Sequence, residues 1–199
     1  MSELFEPDGG WDPRLVHRAG GLLGAANRAG VLEAADVHVA VRVADLVEEP
    51  DETVRLAVAL AVRAVRHGSV CVDLAEVLTL LPDLPWPDPG TWTDRVAGSA
   101  LAAASVVRVE RGLVYLDRYW REEDQVCRDL LARAAQPRPV VDPARLAAGA
   151  ARVFPEGYDE QRDAARAAAG QWTTVLTGGP GTGKTTAVAG LLALLTEQA

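Results

Sequence analysis

Apolar residues recur at helical spacing through the first 135 positions, and capping residues mark several helix starts. Asp12 followed by Pro13 is typical of a helix N-terminus, and Gly30 ends the amphipathic run that follows. Asp51 opens another helix, which Gly68 ends. The buried face of that helix is predicted to consist of Val54, Val58, Val62 and Val65. Further helices are predicted over residues 34–46, 75–81, 94–104 and 119–135. This part of the chain is therefore expected to be a mainly α domain.

A β-hairpin interrupts the helical pattern. Two β-branched runs, residues 106–110 and 113–116, are separated by Arg-Gly, a spacing typical of a hairpin. Residues 70–72 predict a further short strand. Four prolines within residues 82–89 remove backbone donors and predict an extended loop, and Trp86 and Trp92 lie on or beside it. If exposed, these tryptophans would suit a protein interface. If the loop folds back over them, they belong to the core.

The pattern changes type after a proline-rich boundary that begins at Gln136. The elements predicted beyond it are two helices, a strand, a glycine loop and a last helix, over residues 144–152, 159–169, 172–177, 178–183 and 184–197. The inward face of the last helix is predicted to consist of Val188, Leu191, Leu192 and Leu195. This order is the opening of a parallel α/β domain. Since a parallel sheet cannot be one strand wide, we expect the second domain, residues 136–199, to be incomplete.

The glycine loop matches the P-loop pattern G-x-x-x-x-G-K-[ST] in full. The matching residues are Gly178, Gly179, Pro180, Gly181, Thr182, Gly183, Lys184 and Thr185. Glycines let the backbone adopt positive φ and approach phosphates without a Cβ in the way. The loop amides can then point at phosphate from the positive end of the following helix. Lys184 adds a charge for the β- and γ-phosphates, and Thr185 offers its hydroxyl to Mg²⁺. The motif predicts a site for a nucleoside triphosphate with Mg²⁺.

Composition excludes several classes of function. The chain has 199 residues, 49% of them apolar, enough for one large domain or two small ones. No apolar run is long enough to cross a membrane, and the acidic residues 1–12 are not a secretory signal. Cys71 and Cys127 lack paired spacing, so both are expected to be reduced, half-buried core thiols of a cytoplasmic protein. The net charge of −8 argues against this chain clamping DNA by itself.

Gln161 lies in the helix predicted over residues 159–169, ahead of the glycine loop. On spacing alone it is one solvated glutamine on a polar helix face. Its context changes this interpretation, because residues 159–162, an alanine-rich helix and residues 175–186 together resemble superfamily 1 DNA helicases of the RecD type. The resemblance implies that Gln161 contacts the adenine of ATP. It also implies that the glycine loop, continuing to Thr186, is helicase motif I.

Three N-terminal segments are similar to the amino-terminal domain of the same family: residues 30–32 with 35–40, residues 70–74 and residues 116–120. This family supplies the α subunit of exodeoxyribonuclease V, the RecBCD complex. The resemblance implies an α/β P-loop (RecA-like) motor that unwinds DNA 5′ to 3′ in double-strand break repair. Residues 1–135 are then expected to dock on a RecC-like subunit, within a heterotrimer that also contains a RecB-like subunit. The family's Walker B carboxylate, arginine finger and DNA-contacting motifs would follow residue 199. The chain alone is therefore not expected to hydrolyse ATP.

Two other classes of function stay open at this point. The sequence motif G-x-P-G-T-G-K-T is also common in AAA+-type ATPases, although Gln161 and the N-terminal segments argue against that class. The chain could also act as a non-enzymatic protein-docking module. A stand-alone helicase of the same type would carry tandem helix-hairpin-helix elements before its motor, and the sequence shows none.

Overall fold

The computed structural model describes residues 4–79 and 81–198, and the chain divides into two compact units, Met1–Asp124 and Gln125–Ala199. The described part is mainly helical with one small antiparallel sheet. Its helices are α1 Gly21–Arg28, α2 Ala34–Leu46, α3 Glu52–Arg66, α4 Leu74–Val77, α5 Pro89–Ala97, α6 Ala100–Ala103, α7 Asp117–Ala134, α8 Pro143–Val153, α9 Asp159–Ala169 and α10 Lys184–Gln198. Its strands are β1 Cys71–Asp73, β2 Val107–Glu110 and β3 Leu113–Leu116.

Helix α3 is the central element of the first unit. Asp51 caps its N-terminus by accepting a hydrogen bond from the Thr53 amide, as its sequence predicts. The predicted valine face is only half right, because Val54 and Val58 are buried whereas Val62 and Val65 are partly exposed. Between Val54 and Ala61 nearly every residue is buried, on all sides of the helix. In this stretch the helix is surrounded by neighbours, and only Arg55 is not buried.

The sheet of the first unit confirms the predicted hairpin and extends it. Strands β2 and β3 pair antiparallel through a turn in which Arg111 and Gly112 both have positive φ, 52° and 82°. Strand β1 pairs antiparallel with the other edge of β3, so the order is β1-β3-β2. The pairing of β1 with the hairpin is a long-range contact that no local pattern predicts.

Three predicted helices of the first unit were wrong in their bounds. Asp12 does not cap a helix; its carboxylate accepts hydrogen bonds from the Asp8 and Arg14 amides and from the Arg14 guanidinium. The guanidinium lowers the pKa of Asp12 below its ordinary value. Helix α1 starts only at Gly21. The helix predicted over residues 94–104 is two helices, α5 and α6, because Ser99 begins a new one by capping the Ala102 amide. Of the helix predicted over residues 75–81 only α4 forms, and Leu80 lies outside the described residues.

The tryptophans of the proline-rich loop are not exposed interface anchors. Trp92 is completely buried, and its indole nitrogen donates to the Thr53 carbonyl oxygen at 2.8 Å. Trp86 is partly buried, donates to the Leu81 carbonyl oxygen and lies with its ring 6.4 Å from that of Trp92. The loop therefore folds back and covers its own tryptophans, the second of the two possibilities that the sequence allowed.

The second unit has a small core, formed by Ala150, Phe154, Ala165 and Leu194 from α8, α9 and α10. Helix α10 begins at Lys184, as predicted, but of its predicted inward face only Leu191 packs against the core. Val188, Leu192 and Leu195 are exposed, and the buried positions are Ala187, Gly190 and Leu194. Residues 172–177 form no strand, because no described strand lies beside them to complete a ladder. Val175 is 81% exposed.

The two cysteines are free thiols with different surroundings. Cys71 on β1 is partly buried, as predicted, and its contact with Tyr115 contributes to raising the pKa of that buried phenol to about 12, burial being the larger cause. Cys127 on α7 is exposed, which corrects the prediction of a core thiol. In the described part of the chain, no helix is both long and apolar enough to cross a membrane.

Candidate functional site

The glycine loop between residues 177 and 184 has the backbone conformation that its sequence motif predicts. Gly178, Gly181 and Gly183 have φ of 154°, 79° and 78°, a region that glycine adopts without strain. A Cβ at Gly178 would come within 2.6 Å of the Thr182 hydroxyl oxygen, so a side chain there would also clash. The loop is closed by Thr182, whose hydroxyl donates to the Gly179 carbonyl oxygen at 2.9 Å.

Lys184, the single lysine of the chain, folds back over the loop that precedes it. Its ammonium donates to the carbonyl oxygens of Gly178 and Gly179, each at 2.6 Å. The charge is thus held against the loop by the first residue of α10. The positive end of the helix and the ammonium lie together there, which suits an anion.

Gln161 reaches the same loop from helix α9. Its side-chain amide donates to the Thr182 carbonyl oxygen at 2.9 Å. A Cβ at Gly183 would come within 2.8 Å of the Gln161 amide nitrogen, so glycine leaves room for this side chain. Gln161 is therefore more than a solvated residue of a polar helix face. The structure shows it holding the glycine loop, a contact that sequence reasoning missed because the acceptor is a backbone carbonyl.

The remaining predicted residues complete an open site. Pro180, Gly181, Thr185 and Thr186 are exposed, in the loop and in the first turn of α10. The open loop, its positive-φ glycines and the adjacent ammonium fit a triphosphate, and the exposed Thr185 hydroxyl fits a hydrated Mg²⁺. Among residues 4–79 and 81–198, no group of three or more His, Cys, Asp or Glu side chains could hold a metal ion unaided.

Near its middle, helix α10 packs against the C-terminal end of α8, a contact that the sequence did not predict. Gly190 packs directly on the ring of Phe154, the residue that ends α8. The Gly149 backbone similarly packs on the side chain of Leu194. The signal in the sequence was Gly190 itself, because a glycine inside an apolar helix marks the close approach of a neighbouring group. These contacts fix the direction from which α10 presents Lys184.

Comparisons with a family model and with curated proteins identify the same family. Residues 28–176 match the family model described as "RecBCD enzyme subunit RecD, N-terminal domain". The RecBCD enzyme subunit RecD of Mycobacterium tuberculosis is 55% identical over 185 residues, which are 91% of this chain and 31% of the relative. The RecBCD enzyme subunit RecD of Mycolicibacterium smegmatis is 57% identical over 175 residues, which are 86% of this chain and 30% of the relative. The chain thus spans about a third of the length of the curated relatives that it matches.

Proposed function

Because this chain belongs to the RecD family, we propose that it is the nucleotide-binding amino-terminal part of an ATP-dependent DNA helicase subunit of the RecBCD enzyme. The parent protein would unwind DNA 5′ to 3′ in the repair of double-strand breaks by homologous recombination. The observation that carries the proposal is the glycine loop held between Lys184 and Gln161. The family match favours this function over an AAA+-type ATPase.

Each residue of the loop has a stated role in this proposal. The backbone amides of residues 181–184 bind the β-phosphate, and Lys184 exchanges its carbonyl partners for oxygens of the β- and γ-phosphates. Thr185 would hold Mg²⁺, which neutralises phosphate charge during phosphoryl transfer. Hydrolysis also needs a carboxylate that holds the metal, a group that positions water and an arginine on the far side of the nucleotide. We propose that this chain binds MgATP through Lys184, Thr185 and the amides of the glycine loop.

The binding proposal is tested with Lys184→Ala. Loss of the ammonium removes a charge-assisted contact to two phosphates, so the affinity for MgATP is expected to fall at least tenfold, about 1.4 kcal/mol. Calorimetric titration of the chain with MgATP gives this ratio directly. Arg145→Ala is the control: it removes a cation of the same unit that is 65% exposed and pairs with Asp142. Equal affinity of the wild type and Lys184→Ala would contradict the proposed site.

A separate prediction concerns Gln161. A glutamine that contacts only the adenine would discriminate ATP from GTP, and its removal would not change the affinity for inorganic tripolyphosphate. Because its amide holds the Thr182 carbonyl, we expect Gln161→Ala to weaken tripolyphosphate as well, by about threefold to tenfold, the value of one hydrogen bond. Competition of each ligand with a fluorescent ATP analogue measures both effects. Tripolyphosphate affinity unchanged by Gln161→Ala would assign this residue to the base alone.

We also propose that the first unit docks on the RecC-like subunit, that a RecB-like subunit completes the assembly, and that the complex is cytoplasmic. The relatives' name, a subunit of the RecBCD enzyme, supports the partners. The buried tryptophans remove one argument for this docking surface but do not concern the rest of the unit. Residues 1–135 are expected to retain the RecC-like subunit of the same organism in a pull-down without ATP. Retention only by a chain that includes residues 136–199, or only with ATP, would contradict the assignment.

A further inference from the structure

Residues 172–177, just before the glycine loop, have the composition of a strand but an unpaired backbone. Among residues 4–79 and 81–198, no N–H or C=O group of this segment forms a hydrogen bond with another backbone group. Four of its six residues are β-branched and one is aromatic, which is typical of strands. Five of the six are exposed. We name residues 172–177 the unpaired segment.

The side chains of the unpaired segment alternate as they do in a strand. Thr174 and Leu176 line an apolar slot of about 90 Å³ against α9 and α10. Val175, between them, is 81% exposed and does not contribute to the slot. Successive side chains of a strand point to opposite faces, so one face of the segment already lies on its own helices. What the segment lacks is a strand at its edge, and such an open edge is a template for pairing with another chain.

A second copy of this chain matches that edge. Two identical segments can pair antiparallel about a twofold axis, and each then supplies the donors and acceptors that the other lacks. The segment contains no charged residue, Pro or Gly, so its own sequence offers nothing that opposes pairing with itself. The second unit has 7 acidic and 8 basic residues, so two copies of it meet without net repulsion. Exposed Val175 and Val188 add apolar surface to the contact.

The first residue of the segment sets the length of the pairing. The Trp172 indole nitrogen donates to the Pro137 carbonyl oxygen at 2.7 Å, which ties the start of the segment to its own chain. Residues 173–177 remain for a second strand. An antiparallel pair of this length is centred on Val175, which then faces Val175 of the second copy. Because opposite residues share a face, this register keeps the apolar slots of both copies on one side of the two-stranded sheet.

The same register places a partner beside a buried hydroxyl group. The Thr173 hydroxyl oxygen is buried without a hydrogen-bond partner among the described residues. With Val175 at the centre, Thr177 of the second copy lies opposite Thr173. Threonine pairs directly across two strands form hydrogen bonds between their hydroxyl groups.

We propose that this chain forms a homodimer in which residues 173–177 of two copies pair as an antiparallel two-stranded sheet centred on Val175. Twofold pairing uses the same edge of both copies, so the assembly closes at two. The dimer goes beyond the nucleotide binding and the docking proposed above. Those proposals use the glycine loop and the first unit, and the dimer does not depend on them.

The first test is sedimentation velocity of the whole chain across the micromolar range. The wild type is expected to sediment as a dimer at the upper end. Val175→Lys should raise the dissociation constant about tenfold, because two ammonium groups then face each other and the pair of valines is lost. Val140→Lys is the matched control, since it makes the same change at a valine of the same unit that is 99% exposed. A monomeric wild type, open-ended polymers, or equal effects of the two variants would overturn the proposal.

A disulfide tests the register. Opposite Cα atoms of an antiparallel pair are about 4.5–5.5 Å apart, within the range of about 4.4–6.8 Å that a disulfide spans. Val175→Cys should therefore oxidise to a covalent dimer, in a Cys127→Ser background that removes the exposed native thiol of α7. Val140→Cys in the same background should stay monomeric on a non-reducing gel. Equal cross-linking of the two would indicate random collision and contradict the register.

Hydrogen exchange distinguishes strand pairing from association through another surface. The amides of residues 173–177 should gain protection as the protein concentration rises, whereas those of α3 should not change. A dimer whose amides at 173–177 exchange equally fast at every concentration would place the interface elsewhere and end the proposal. Lys184→Ala, which is expected to lose MgATP binding, should dimerise like the wild type, so the two proposals stand or fail separately.

Discussion

Gly190→Ala is expected to destabilise the second unit by about 3 kcal/mol, although alanine is a better helix former than glycine. In an exposed helix the same change would stabilise by about 1 kcal/mol. Here a Cβ would overlap the ring of Phe154, with both Cε carbons at 2.6 Å. Either α10 moves away or Phe154 leaves the core that it forms with Ala150, Ala165 and Leu194. Expelling a buried phenylalanine costs about 3–5 kcal/mol, and the helix propensity of alanine offsets part of this cost.

The matched control for this variant is Gly90→Ala, in the first turn of α5. Its Cβ would meet only the Asp88 carboxylate, at 3.6 Å, which is ordinary contact, and its φ is not positive. Native-state hydrogen exchange resolves the two units separately. The amides of α10 should lose protection in Gly190→Ala while those of α3 keep it, and Gly90→Ala should change neither. Unaltered protection of α10 in Gly190→Ala would mean that the packing of Phe154 is wrong.

Trp92→Ala is expected to cost the first unit about 3–5 kcal/mol, the range for removing a large buried aromatic side chain. Trp92 is fully buried, and α5 holds it against α3 through the hydrogen bond to the Thr53 carbonyl oxygen. Truncation leaves a cavity and also removes the neighbour of the Trp86 ring. A loss of this size is comparable with the whole stability of a small domain. Urea titration followed by circular dichroism at the helix band measures the change.

Trp11→Ala is the control for Trp92→Ala, because the Trp11 side chain is 91% exposed and its main ring contact is with His17. Its free energy of unfolding should stay within about 0.5 kcal/mol of the wild type. If Trp92→Ala were equally mild, Trp92 would be an exposed interface anchor after all, as one interpretation of the proline-rich loop allowed.

Local signals in the sequence predicted much of this fold. Helices α2 and α9 have the predicted bounds, because their ends depend on residues within one turn. The hairpin followed from its two-residue turn in the same way. The conformation of the glycine loop could be predicted from its motif alone, since positive φ at Gly181 and Gly183 is a property of the loop itself.

The features that failed depend on contacts that the periodic pattern of the sequence does not encode. Asp12 and Pro13 are a valid helix start, but Arg14 and the Asp8 amide compete for the Asp12 carboxylate. The inward face of α10 could not be predicted from its sequence, because the helix is apolar on nearly every side and its burial depends on where Phe154 lies. Gln161 was placed near the nucleotide by family resemblance, whereas its bond to Thr182 required the structure.

Residues 1–124 contain 21 acidic and 12 basic residues, whereas residues 125–199 contain 7 acidic and 8 basic ones. This uneven distribution of charge has a consequence for handling the protein in solution. Val175, Val188 and Leu192 are exposed on the second unit, which carries almost no net charge to keep its molecules apart. Exposed apolar surface without charge repulsion favours precipitation. The acidic first unit is therefore expected to keep the second unit in solution through charge repulsion between molecules. Residues 125–199 produced alone should aggregate at concentrations where the whole chain remains dispersed.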